Sequence, residues 1–248
     1  MKLRLLALYP EQMNIYADRG NILFLARRCE WRGIGFEHAA AGPGERFDPG
    51  AHDLIYIGGG QDRDQKLVAA DMLETKRDAL AAAAGDGAVV LAVCGGYQLL
   101  GRYYRDRDGV ELPGIGLLPL HTIAGERRMI GDVLLDCKWA GRTLAGFENH
   151  AGRTLLDESA RPLGRVVHGF GNDGESGFEG CRAGRVIATY LHGPLLPRNP
   201  WLADWVLSQA LAHASGAEPP ELEPLPDELE REAHTVAAGR ARARGGRY

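Results

Sequence analysis

Cys94 is the residue whose setting points most directly to covalent chemistry. It follows an apolar run, Ala88 to Val93, and precedes Gly95-Gly96 and then Tyr97-Gln98-Leu99-Leu100, a stretch without a helix breaker. Ala92 before it and the glycines after it let a strand turn sharply into a helix, which is the logic of a nucleophile elbow with Cys in place of Ser. Such a turn presents the side chain at the carboxyl edge of a sheet, where α/β proteins bind ligands. It also sets the thiol at a helix N-terminus, which favours the thiolate, and aims the Gly95 amide at a developing oxyanion. A free Cys is more often a small buried hydrophobe; here the small-residue frame favours the nucleophile.

A thiol nucleophile needs an imidazole to draw off its proton and later protonate the leaving group. Of the eight histidines, His38, His52, His213 and His234 lie in surface-like contexts, leaving His121, His150, His168 and His192. His192 follows the apolar run Arg185 to Leu191 and precedes Gly193-Pro194, so it alone is delivered where strands end at one sheet edge. His150 is the rival, in Phe147-Glu148-Asn149-His150-Ala151-Gly152-Arg153. A loop of that mixture could instead grip a polar substrate or donate to a partner. Gly58-Gly59-Gly60, at the end of the apolar run Asp53 to Ile57, suits a nest of amides for an anion or oxyanion.

The elements needed to hold these residues are legible in the pattern. Leu3 to Leu8 reads as a strand, Asn21 to Trp31 as a helix, the vicinity of Phe36 as a short strand, and Asp53 to Ile57 as a buried strand. Lys66 to Ala84 reads as one long helix leading to the elbow strand, so the order predicts parallel strands with right-handed crossovers. Beyond Gly101, residues 114–124, 131–139, 143–155 and 164–168 are short apolar or alternating runs, predicted to be strands and hairpins. Gly169 to Gly174 matches G-x-G-x-x-G by letters only; Gly177 and Gly180 follow instead of a helix, so a hairpin loop is expected. Trp201 to Ala214 reads as a last helix. Residues 215–248 are predicted to be a flexible or loosely helical tail outside the core, leaving 1–214 as the functional domain.

The chain has 248 residues, a formal net charge of -4 and 45% hydrophobic residues, enough for a large α/β core without a broad basic surface, so nucleic acid is not an expected partner. Cys29, Cys94, Cys137 and Cys181 form no C-x-x-C pair, which argues against a zinc site or a disulfide framework and fits a reducing cytosol. The N-terminal apolar run is too short for a signal peptide, and no run is long enough to span a membrane. There is no G-x-x-x-x-G-K-[ST] loop.

Four stretches in order, Tyr56 to Asp62, Ala92 to Gln98, Gly146 to His150 and Tyr190 to Pro194, resemble the class I glutamine amidotransferases in their cobyric-acid-synthase-like branch. Asn14 to Asn21 and Phe147 to Thr154 are similar to the glutaminase-subunit family of lipid II isoglutaminyl synthases. The resemblance implies an α/β class I amidotransferase fold: a mostly parallel central sheet flanked by helices, with an added antiparallel hairpin region. It implies Cys94 and His192 as the catalytic pair and Gly60 and Gly95 as the oxyanion hole. It implies Arg128, Gln98, Asn149 and His150 as substrate-binding positions for L-glutamine, with no metal. It further implies a cytoplasmic heterodimer with a Mur-ligase-like (MurT-like) synthetase subunit. ATP and Mg are expected on that partner and no cofactor in this chain. The partner would receive the ammonia and amidate the D-glutamate α-carboxyl of lipid II, so the chain would lie near the inner face of the membrane without inserting. Many class I amidotransferases carry a carboxylate two residues after the histidine; here Pro194 stands there, so the resemblance implies an acid from the partner. A glutaminase for a cobalamin-pathway amidation, a γ-glutamyl hydrolase and a catalytically silent binding module remain as alternatives.

Overall fold

Strand and helix alternate through the first part of the computed structural model, which describes residues 1–15, 19–60 and 62–243. The order is β1 (Lys2–Leu8), α1 (Arg19–Trp31), β2 (Gly35–Ala41), β3 (Leu54–Ile57), α2 (Asp62–Asp71), α3 (Arg77–Asp86), β4 (Val89–Val93) and α4 (Gly95–Leu100). Tyr16, Ala17, Asp18 and Gln61, which belong to stretches used in the sequence reading, lie outside the described residues, as do residues 244–248. The second part comprises β5 (Tyr103–Arg105), β6 (Glu111–Pro113), β7 (Leu120–Cys137), β8 (Arg142–Leu156), β9 (Gly164–His168), β10 (Phe178–Glu179), β11 (Cys181–Ala183), β12 (Val186–Thr189), α5 (Pro200–Ser215) and α6 (Glu228–Ala243).

The unalternating apolar runs of β3, β4 and β12 are buried at every position, as strands covered on both faces must be. They form the middle of a sheet ordered β11-β12-β4-β3-β1-β2, in which every neighbouring pair is parallel except the edge pair β11–β12. β3, β4 and β12 therefore end at one edge, and the glycine triplet, Cys94 and His192 leave the sheet there. A second sheet, ordered β10-β9-β7-β5-β6 with β8 on β7, is built around the long β7–β8 hairpin.

Three expectations are corrected. The helix predicted over 66–84 is divided into α2 and α3 by a π-turn at Met72–Lys76. That turn serves a buried cation: Lys76 Nζ donates to Asp71 Oδ2 at 2.9 Å and to Gly42 O at 3.0 Å, beneath the Tyr9 ring. Within the stretch after Gly216, expected to be flexible or loosely helical and outside the core, residues 228–243 form a packed helix. Helix α6 lays Ala237, Ala238 and Ala241 on Leu134 and Ala145, and Asp227 just ahead of it pairs at 2.6 Å with Arg28, which is fully buried and also bound to Asp204. Nor are His213 and His234 surface groups. His213 Nδ1 lies 3.0 Å from Asp53 Oδ1, and His234 is hydrogen-bonded to Thr143 and the Arg198 carbonyl.

Candidate active site

The turn after β4 has the strained geometry that the small residues permit. Cys94 adopts φ 51 and ψ -105, and it shares a positive φ with Tyr9 alone among the described non-glycine residues. Such a conformation costs of order 1–3 kcal/mol and persists where surrounding structure over-determines it. Here the Cys94 amide donates to Thr189 O on β12 at 2.8 Å, and the Gly96 amide to Gly58 O at 3.2 Å. A Cβ added at Gly96 would stand 2.8 Å from Ile57 O and 2.9 Å from Gly58 O, so a side chain there is excluded by backbone. A Cβ at Gly95 would lie 3.1 Å from the Gly60 amide nitrogen, which brings the predicted oxyanion pair, Gly60 and Gly95, together. Met13 packs over both glycines, and the Ile15 amide donates to Gly59 O at 3.2 Å, fastening residues 12–15 to the triplet.

The other cysteines differ from Cys94. Cys29, Cys137 and Cys181 have no exposed surface, whereas Cys94 keeps 7%. Burial pushes the Cys29 and Cys181 thiols up to about 11 and the Cys137 thiol to about 12, so all three stay protonated and inert.

His192 lies just past β12. Thr189 registers with Val93 across the β12–β4 pair, so Cys94 and His192 leave adjacent strands at the same edge. A second element holds it: the His192 amide donates to Phe147 O at 2.8 Å and the Phe147 amide to His192 O at 3.2 Å, bridging it to β8. The segment around His150 lies in β8, within the run 143–155 predicted to be a strand, and through Phe147 that strand braces His192.

Arg128 is exposed beside a cleft of about 400 Å³ also lined by Gln65, Lys66, Asp106, Arg107 and Ala151. Gln65 Cδ is 3.7 Å from the place of a Gly95 Cβ, so the cleft shares a wall with the elbow. The Arg128 Nε donates to Asn149 Oδ1 at 2.9 Å and its Nη2 to Asn149 O at 3.0 Å, so these two expected substrate groups are bound to each other.

Residues 4–200 match the CobB/CobQ-like glutamine amidotransferase domain. The chain belongs to that family. It is 37% identical over 232 residues to the subunit GatD of a glutamine-hydrolysing lipid II isoglutaminyl synthase from Staphylococcus aureus, covering 93% of each. It is 38% identical over 216 residues to the GatD of Streptococcus pneumoniae, covering 87% of this chain and 83% of that one. A cobyric acid synthase from Pelotomaculum thermopropionicum is 40% identical over 197 residues, but the match spans only 36% of its length. Among solved structures, PurLQS from Thermotoga maritima superposes with a TM-score of 0.55 at 19% identity, over 77% of this chain and 88% of that one, which supports the fold.

In this amidotransferase, Gln98 and His150 stand behind the elbow rather than open to the cleft. Gln98 Oε1 accepts from Gln65 Nε2 at 2.7 Å, and its Nε2 donates to the Tyr190 hydroxyl at 3.0 Å. That hydroxyl also meets Thr154, which meets Thr122 at 2.8 Å. The His150 ring stacks on the Tyr190 ring, centroids 3.6 Å apart and 2° from parallel, and its Nδ1 donates to Gly152 O at 2.8 Å. Glu148 accepts from the Phe170 and Gly171 amides at 2.7 and 2.9 Å, so the expected hairpin loop at 169–174 is tied down by β8. Burial dominates at Glu179 and pushes its carboxyl up to about 8, although it accepts from the Tyr190 amide at 2.6 Å and from the Thr189 hydroxyl. Sequence reasoning missed Gln65, Tyr190 and Phe147. Tyr190 stands two residues before His192, but nothing in its spacing separates a packing aromatic from the hub of a polar network.

Proposed function

We propose that this amidotransferase is the glutaminase subunit of a lipid II isoglutaminyl synthase and works by a Cys94–His192 mechanism. The observation that carries the reading is the positive-φ turn at Cys94, with the Gly60 amide nitrogen against Gly95 and His192 leaving the neighbouring strand. The Cys94 thiolate attacks the side-chain amide carbon of glutamine, and the amides of Gly60 and Gly95 receive the negative oxygen. As the C–N bond breaks, His192 gives its proton to the departing nitrogen, releasing ammonia. The same imidazole then takes a proton from water, whose oxygen attacks the thioester and frees glutamate and the thiol. Arg128, with Asn149 behind it, holds the substrate at the cleft.

Ammonia does not displace oxygen from an unactivated carboxylate, so a second, ATP-dependent active site must consume it. Similarity to GatD over almost the whole chain favours a separate Mur-ligase-like partner with lipid II as acceptor. No described helix is long and apolar enough to cross a membrane, and the reading places the protein in the cytoplasm. Pro194 stands where many class I amidotransferases carry a carboxylate, so the partner supplies that acid and hydrolysis in isolation is slow. The test is glutamate release by the wild type and by Cys94→Ser and Cys94→Ala, alone and with the co-purified partner. Loss of release in both variants, with thermal stability kept, supports the reading; unchanged release removes it. A corrin-amidating enzyme as the co-purified chain would replace the acceptor while leaving the chemistry intact.

A further inference from the structure

The β7–β8 ladder is interrupted beside the cleft. Ala124 registers with Gly152 and Met129 with His150, so Gly125, Glu126, Arg127 and Arg128 bulge out opposite Ala151. Backbone carbonyls in such a bulge lose their ladder partners and turn to side chains or water. Here two guanidinium groups take three successive carbonyls. Arg107 Nη2 donates to Gly125 O and to Glu126 O, each at 3.1 Å, and Arg153 Nη2 donates to Arg127 O at 2.9 Å. The next residue is Arg128, itself bound to Asn149. Gly125 permits the closure: a Cβ there would stand 2.8 Å from both Ala151 O and Arg153 Cζ.

Arg107 is anchored in turn. It sits between β5 and β6 in a turn where Asp106 Oδ1 accepts from the Asp108 amide at 3.0 Å and the Val110 amide at 2.9 Å. From α2, Lys66 Nζ lies 3.4 Å from Asp106 Oδ2. Two elements that carry no reacting group thus fix the backbone from which one cationic side chain reaches the cleft.

We propose that Arg107 and Arg153 are positioning residues that hold the Gly125–Arg128 bulge, and so preset Arg128 for the glutamine substrate; this rests on the reading of Arg128 given above. Without the clamp the bulge is mobile, and the freedom Arg128 loses on binding opposes affinity without altering the thiol chemistry.

The test uses the full-length chain and 6-diazo-5-oxo-L-norleucine, a glutamine analogue that alkylates an attacking thiol, with labelling of Cys94 followed by mass. Half-saturating concentration reports binding and limiting rate reports chemistry. Arg107 is exposed, so Arg107→Ala should keep the thermal midpoint. It should raise the half-saturating concentration roughly fivefold and leave the limiting rate unchanged, the loss expected for a preorganising polar contact. Arg128→Ala should raise it further, and adding Arg107→Ala to Arg128→Ala should then change nothing. The clamp is refuted if Arg107→Ala binds normally while Arg128→Ala does not. It is equally refuted if the Arg107 effect persists in the Arg128→Ala background, since Arg107 would then touch the ligand itself. If Arg128→Ala binds normally, the glutamine-binding reading fails and the clamp falls with it. Gly125→Ala, which drives a Cβ into Arg153, should reproduce the Arg107→Ala pattern.

Discussion

Replacing Gly96 by Ala tests the elbow by geometry alone. The added Cβ would meet Ile57 O at 2.8 Å and Gly58 O at 2.9 Å, as well as Ile57 Cγ2 at 2.8 Å. Carbon-to-carbonyl contacts settle at about 3.3 Å or more, so the elbow and the glycine triplet must part by roughly half an ångström. Both oxygens belong to backbone, so no rotamer change relieves the contact. The same movement stretches the bond from the Gly96 amide to Gly58 O, already 3.2 Å long, beyond useful range. Overpacking of this kind costs about 1–3 kcal/mol, which for a chain of this size lowers Tm by about 2–4 °C per kcal/mol. The functional effect should be larger under the proposed mechanism, because Gly60, its proposed oxyanion donor, moves with Gly58, and such a donor out of place costs about 10²–10³ in kcat. Gly85→Ala is the control. Gly85 lies in α3 with nothing within 4 Å of its added Cβ, and the change should be neutral or stabilising by up to about 1 kcal/mol. Thermal melts and glutamate release measured on both variants decide the matter. A Gly96→Ala protein with wild-type Tm and wild-type turnover would refute the reasoning.

Two further outcomes concern stability. Glu179 binds its proton far more tightly in the folded chain than in the unfolded one, with a folded value of about 8. The native state thus loses stability as pH rises from the ordinary carboxylate range through 8. Glu179→Gln removes that dependence, so the variant's Tm advantage over wild type should grow between pH 6 and pH 9; a difference that stays constant would show that Glu179 does not titrate there. Deleting residues 217–248 takes α6 from Leu134 and Ala145 and Asp227 from the buried Arg28. A denaturant melt should show a loss of about 3 kcal/mol or more, since half-stripped buried ion pairs are costly. A full-stability truncation would return the segment to the status of a tail.

Much of the candidate site was legible because it is local. Small residues around Cys94, three glycines after an apolar run and a histidine closing another run are contiguous patterns, and each reports the close backbone approach it permits. The parallel sheet followed from strand and helix in alternation, and the family resemblance from four motifs in order. What escaped involves partners distant in sequence. The break at Met72–Lys76 depends on Tyr9 and Gly42, and α6 is held by Arg28 through Asp227, which no helical periodicity announces. Its contact face is alanine, too weakly apolar in an Arg- and Glu-rich stretch to mark a packed helix. Gln98 and His150 were expected at the substrate from the family resemblance, and which buried partners they meet, both of them packing around Tyr190, was not legible in the sequence.

Chemistry that needs a thiol at a sharp bend is written in adjacent residues, since the bend is a property of the backbone at Cys94 and its glycine neighbours. Which carbonyl steadies which side chain is not, because it depends on how two sheets close on each other. The amino-acid order thus determined the sharp turn at Cys94 on which the proposed chemistry rests, the strand that presents it and the parallel core. The tertiary structure alone decided that β8 would brace His192, tie down the 169–174 loop and, with Arg107, hold the bulge that carries Arg128, because those contacts join segments that only folding brings together.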